Sequence, residues 1–174
     1  MIKTYTDIEV REFETVCTDD IEAIISRMEF LHIKHKLDRK NLCLISISEP
    51  IGIDKYRDTE LPDSFVHDFK DSLRVKFWDV EDDIGQYTVI DDITAKKIQD
   101  FILKNKDERF VIHCRAGQSR SAGVGKAVEC IKHFGLGDEA KYHYQTGFKS
   151  DIDNCARYSP NLAVFDKVVK DYNE

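Results

Sequence analysis

Three short apolar runs, set apart by longer stretches of helical spacing, constrain the fold of this chain most. Asn41 to Ser48 (NLCLISIS), Leu73 to Trp78 (LRVKFW) and Phe110 to His113 (FVIH) each read as a strand, the first as a buried one. A helix is predicted from Asp92 or Thr94, either of which can cap it, to about Lys106, with Ile98, Phe101, Ile102 and Leu103 on its inner face. A second covers Ser119 to Phe134, with Val124, Ala127, Val128 and Ile131 mostly three or four apart. Further helices are predicted over 138–147 and 161–173, and one over Asp19 to about Phe30, where Ile21, Ile24, Ile25 and Met28 stand at helical spacing behind acidic residues. Strands alternating with helices specify an α/β protein, with a central, mainly parallel sheet of four to five strands flanked by helices. The first 17 residues are less regular, and TYTDIEV reads as an edge strand.

The 174 residues suit one domain, 1–174, and no repeat, low-complexity tract or linker divides them. Pro50, Pro62 and Pro160 fall between elements as punctuation. An apolar fraction of 41% is enough for a core at this length. Charges interrupt every apolar run well short of the roughly 18 residues that a membrane span needs. The start, MIKTYTDIEVREFE, is too charged for a secretory leader, so a cytoplasmic protein with no membrane partner is expected. Acidic residues outnumber basic ones by 33 to 26, and the net charge of -7 makes nucleic acid an improbable partner while leaving room for a small local anion site. The five cysteines, odd in number and widely spaced, predict no disulfide framework, and no C-x-x-C pair suggests zinc.

Chemistry concentrates in VIHCRAGQSRSAGVG, residues 111–125. An apolar strand ends at Cys114, five residues follow, and Arg120 opens a helix. A tight loop between strand and helix gathers backbone N–H groups around one point, and the positive end of the helix dipole is aimed there too. Gly117, free to take positive φ, lets successive amides converge into an anion-binding nest. Arg120 adds a planar fork of donors that matches two phosphate oxygens. A cysteine at the base of such a cradle is favoured as a thiolate, the nucleophilic form.

The run His113-Cys114-Arg115-Ala116-Gly117-Gln118-Ser119-Arg120-Ser121 resembles the signature of the cysteine-dependent protein tyrosine phosphatase superfamily. The short chain, and the position of the motif two-thirds along it, resemble the dual-specificity branch. The resemblance implies a tyrosine phosphatase-like fold built around a catalytic strand–loop–helix, and no cofactor or metal. It implies Cys114 as the residue that attacks phosphorus to give a phosphocysteine, with Arg120 on the phosphoryl oxygens. Ser121 would steady the departing thiolate, and His113, behind Cys114, would tune it. Arg115, Ala116, Gly117, Gln118 and Ser119 would line the phosphate loop.

The same resemblance implies an Asp, just past an upstream strand, that protonates the leaving group and later activates water. LRVKFW leads into Asp79, with Asp82 and Asp83 behind it; Asp79 stands at the strand end and is the choice, the other two the alternatives. Ser159-Pro160-Asn161 resembles a Pro-Asn in that branch whose Asn supports the phosphate loop. Cys43, on the strand expected beside the catalytic one, is a buried thiol with a lesser reading as redox partner of Cys114. His32 and His35 lack a third metal ligand, and the basic run Lys34–Lys40 reads as a solvated turn.

A phosphorylated protein is the expected partner and substrate, on Tyr and on Ser/Thr, with a monomer favoured. A phosphoinositide is disfavoured because the loop offers only Arg115 beside its clamp, and an RNA 5′ end because the chain is acidic. The alternatives are a nucleotide or sugar phosphate as substrate, or a pseudophosphatase that binds phosphorylated partners without turnover.

Overall fold

The computed structural model describes residues 2–5, 13–50 and 60–173. Strands β1 (Ile2–Tyr5) and β2 (Phe13–Val16) pair antiparallel as a separate two-stranded sheet, so the start of TYTDIEV is a strand but not an edge of the main sheet, and its other residues lie outside the described ones. Then follow β3 (Ile21–Ser26), α1 (Arg27–Ile33), β4 (Leu42–Ser48), α2 (Asp63–Val66), β5 (Asp71–Lys76), α3 (Asp92–Lys104) and β6 (Arg109–Cys114). Four helices close the chain: α4 (Arg120–Phe134), α5 (Gly137–Gly147), α6 (Asp151–Asn154) and α7 (Leu162–Val169). The main sheet has four strands, all parallel, in the order β3-β6-β4-β5.

The predicted helix over Asp19–Phe30 is a strand followed by a helix. All but the last residue of β3 are buried, and a strand covered on both faces shows a continuous apolar run that periodicity cannot tell from a buried helix. Ser26 makes the break: its side chain accepts from Glu29 N while the Glu29 carboxylate accepts from Ser26 N, a reciprocal cap that starts α1. The cap of α3 is Asp91, one residue ahead of the expected position, accepting from Thr94 N at 2.6 Å.

Helices cover both faces of the sheet. Phe110, Ile112 and Cys114 of β6 belong to the larger core beneath α3, α4 and α7, while Val111 joins the smaller core with Phe30 and Ile33 of α1. This alternation is the two-residue period of a strand, and it sets Cys114 and His113 on opposite faces. Every residue of α4 from Arg120 to Ile131 is buried. Small residues permit it: a Cβ on Gly123 would lie 2.5 Å from Asn161 O, and one on Gly125 2.6 Å from Ile24 Cδ1. Glu129, buried in the same helix, is held by Tyr144 Oη and Ser150 Oγ, each donating at 2.7 Å. Among the described residues no helix is long and apolar enough to cross a membrane.

Candidate active site

β6 is flanked by β3 and β4, so its carboxyl end opens at the middle of the sheet edge, where parallel α/β sheets present ligand sites. Cys114 is its last residue, with 1% of its surface exposed. Its Sγ receives the Gly117 N–H at 3.2 Å and lies 3.2 Å from Ser121 Oγ. The loop that returns the chain over the sulfur depends on Gly117, at φ 69°. A Cβ there would sit 2.2 Å from Ser26 N and 2.3 Å from the Ile25 carbonyl carbon, since β3 ends alongside in register with Cys114.

The carbonyls of the loop are drawn away from its centre. Arg115 O accepts from Arg27 N at 3.3 Å, Gln118 O from Ser159 N at 3.0 Å, and Ser119 O from Asn161 N at 3.2 Å and Gly123 N at 2.8 Å. In a planar trans peptide the next N–H points opposite to the carbonyl. The carbonyls that precede the amides of Ala116, Ser119 and Arg120 are thus all engaged away from those amides, at the amino end of the 15-residue α4. Arg27, Ser159 and Asn161 from flanking segments, with Gly123 from within α4, thus hold the carbonyls of this loop.

Arg120 is 2% exposed, and a buried guanidinium needs partners on its fork. Nη1 donates to Phe77 O at 3.0 Å and Nη2 to Glu49 Oε1 at 3.4 Å, while Nε lies 4.0 Å from Asp79 Oδ2. Arg115, half exposed, has Nη1 3.8 Å from the same Glu49 oxygen. Glu49 was not anticipated from the sequence. The available signal was its place directly after the buried run of β4, which puts an acid at the same sheet edge as the end of β6.

Of the three neighbouring acids, the structure brings Asp79 to the loop. Its Oδ1 accepts from Ser119 Oγ at 2.7 Å and from Asn161 Nδ2 at 3.1 Å. Asp83 turns away to take the Val89 N–H at 2.8 Å, closing a small hairpin in which Ile84 and Tyr87 exchange backbone bonds of 2.8 and 3.0 Å across Gly85, at φ 61°. Asp82 is exposed. Asn161 departs from its expected role: only its backbone N–H reaches the phosphate loop, and its side chain serves the Asp79 segment while capping α7 through Val164 N. Glu81, a second residue that sequence reasoning missed, accepts from Leu162 N at 3.0 Å.

His113 is fully buried and stacks on Phe30, ring centroids 5.0 Å apart. Burial, with the Arg27 charge adding to it, pushes its pKa down to about 3, so the ring is neutral. Neither ring nitrogen makes a hydrogen bond of normal geometry, although the Cys114 backbone favours a ring proton. Cys43 is buried in β4 opposite Phe110, four residues from the Cys114 end. At about 3.3 Å per residue that is roughly 13 Å, well beyond the ~7 Å between Cα atoms that a disulfide can span. Burial and the Asp71 charge push the Cys43 thiol up to about 11, which marks an inert core residue. In the basic run, Lys34 lies over the Phe65 ring and Arg39 pairs with Asp68 at 2.8 Å. Among the described residues no group of three or more His, Cys, Asp or Glu could hold a metal ion.

Neither a family model nor a curated protein matches the chain. The site is described by its own geometry: a strand–loop–helix with a cysteine at the end of the strand, a buried arginine at the start of the helix and a carboxylate bonded to the loop between them.

Proposed function

We propose that this chain is a phosphomonoester hydrolase of the cysteine-dependent kind, acting on phosphorylated protein through a phosphocysteine on Cys114. The observation that carries the reading is the Cys114 sulfur under the loop that joins β6 to α4, where it takes the Gly117 N–H and lies beside the Ser121 hydroxyl. The Arg120 guanidinium, bonded to Phe77 O and Glu49 with Nε 4.0 Å from Asp79 Oδ2, is the clamp for the phosphoryl oxygens in this reading. In the first step the thiolate attacks phosphorus in line, the bond from phosphorus to the leaving oxygen breaks, and that oxygen takes the Asp79 proton. In the second, water attacks phosphorus and passes a proton to the Asp79 carboxylate, and the sulfur leaves as a thiolate beside the Ser121 hydroxyl. The loop amides and Arg120 stabilise the charge on the equatorial oxygens throughout.

The test is steady-state hydrolysis of an aryl phosphate in EDTA and reductant, wild type beside Cys114→Ser. Turnover by wild type, lost in the variant and blocked by vanadate, is the expected result. Two folded proteins that bind phosphate and turn nothing over would replace this reading with a phosphate-binding interaction module. Substrate class is then read from the relative kcat/KM for phosphotyrosine and phosphoserine peptides against nucleotide and sugar phosphates.

A further inference from the structure

Resting on that reading, we infer that Asn161 and Glu81 are positioning residues that fasten the Asp79 loop to the amino end of α7, so that the proton donor stands over the phosphate loop before substrate arrives. Neither residue touches the reacting atoms; both act through Asp79. Four contacts make the fastening. Asn161 Nδ2 donates to Asp79 Oδ1 at 3.1 Å and to Val80 O at 3.2 Å. Glu81 Oε1 accepts the first amide of α7, Leu162 N, at 3.0 Å. Ser119 Oγ, from the phosphate loop, donates to the same Asp79 Oδ1 at 2.7 Å.

The base of this clamp is rigid. Asn161 is 2% exposed, and its Oδ1 is already committed to the Val164 N–H at 3.1 Å, which fixes the amide plane and aims both Nδ2 hydrogens at the acid loop. Its backbone N–H holds Ser119 O, so one residue is bonded to the acid loop, to the phosphate loop and to its own helix at once. α7 in turn is packed into the core by Val164, Phe165, Val168 and Val169. The Glu81 carboxylate adds a second, exposed attachment on the far side of Val80, where a negative charge also suits the positive end of the helix.

The clamp also assigns the two oxygens of Asp79. Oδ1 receives two donors, whereas Oδ2 faces the cradle, 4.0 Å from Arg120 Nε. The proton that reaches the leaving oxygen is therefore the one carried on Oδ2. When the bond to phosphorus breaks, that proton moves to the leaving oxygen, and Asp79 is left as a carboxylate with Oδ1 still held.

The experiment separates this role from a general loss of structure. Asn161→Ser keeps a hydroxyl that caps α7 but removes both Nδ2 donors; Glu81→Ala removes the second attachment, and Glu81→Gln keeps an acceptor for Leu162 N. Each is assayed on dinitrophenyl phosphate, whose phenoxide leaves without a proton, and on phenyl phosphate, whose phenoxide needs one, beside Asp79→Asn. General acid catalysis is worth about 10²–10⁴-fold, so Asp79→Asn should lose about that on phenyl phosphate alone, and Asn161→Ser about tenfold or more on the same substrate. Glu81→Ala should show a smaller loss with the same split, and Glu81→Gln should restore wild-type rates. If Asn161→Ser and Glu81→Ala slow both substrates equally, or neither, while Asp79→Asn shows the split, the clamp is refuted and the proposed function stands. Absence of turnover by wild type on dinitrophenyl phosphate would instead overturn the proposed function, and the clamp with it.

Discussion

The loop after β6, proposed to bind phosphate, and the loop after β5, proposed to carry the acid, meet at Ser119 and Asp79 and are built in opposite ways. Residues 114–121 form a local device: the end of one strand, one glycine at positive φ and the start of one helix make the loop over Cys114, and neighbouring segments merely hold its carbonyls. Residues 79–83 contain no regular element. Asp79 stands where it does because Ser119, Asn161 and the amino end of α7, all remote in sequence, hold it and its neighbours. A local device is damaged by changing its own residues. One held from outside is damaged just as well by changing its supports.

The largest effects should come from the local device and should not depend on the substrate. Cys114→Ser removes the nucleophile, and kcat should fall by about 10⁴-fold or more on activated and unactivated aryl phosphates alike. Equal losses on both substrates distinguish it from Asp79→Asn, whose loss should vanish as the leaving group improves. Gly117→Ala should lower stability by about 3 kcal/mol or more, through a strained φ and the close approach to β3, read as a shift in the denaturation midpoint. A variant as stable as wild type would mean that the loop does not depend on that glycine.

Glu49→Gln sharpens the comparison, because Glu49 supports the cradle from outside. The glutamine keeps an acceptor for Arg120 Nη2 and loses the charge that faces the guanidinium. KM should rise by about tenfold with little change in leaving-group dependence, since a charge-assisted bond is worth roughly twice a neutral one. A change confined to phenyl phosphate would place Glu49 with the acid loop instead.

pH gives a smaller and separate handle. The buried imidazole of His113 stays neutral down to about 3, whereas an ordinary histidine protonates near 6.5. The unfolded chain therefore binds one more proton between those values, and stability falls as pH falls through that window. His113→Phe, which can keep the stacking on Phe30, should unfold with a shallower dependence on pH below 6.5, and equal slopes would refute the assignment. The smallest effect belongs to Asp83→Ala, which releases one exposed bond to Val89 N. It should cost about 0.5–1.5 kcal/mol by thermal denaturation and leave kcat near that of wild type. A loss that grew with leaving-group basicity would make Asp83, rather than Asp79, the proton donor.

The parts of the fold that were legible are those whose pattern is local. NLCLISIS, LRVKFW and FVIH correspond to β4, β5 and β6, although β5 runs Asp71–Lys76 and leaves Phe77 and Trp78 beyond its end. That offset matters, because it frees Phe77 O for Arg120 and sets Asp79 in a loop. The run from Ile21 was misread because burial on both faces erases the alternation that identifies a strand, and only its seat beside β6 decides the matter. The role of Asn161 differs from the support of the phosphate loop that the resemblance implies. Pro-Asn ahead of a helix announces a cap, but nothing near it in the chain shows that its spare donors meet Asp79.

By itself the sequence determined the α/β class and the strand–loop–helix that carries Cys114 and Arg120, because each follows from residues within one turn or one strand of each other. Tertiary structure alone decided that β3 is a strand, that Cys43 lies too far along β4 to meet Cys114, and that Asp79 rather than Asp82 or Asp83 reaches the loop. It also recruited Glu49 and Glu81, whose partners are Arg120 and Leu162. The physical reason is that a backbone nest is specified by the φ and ψ of consecutive residues, whereas the place of a side chain on an irregular loop is specified by whatever packs against it.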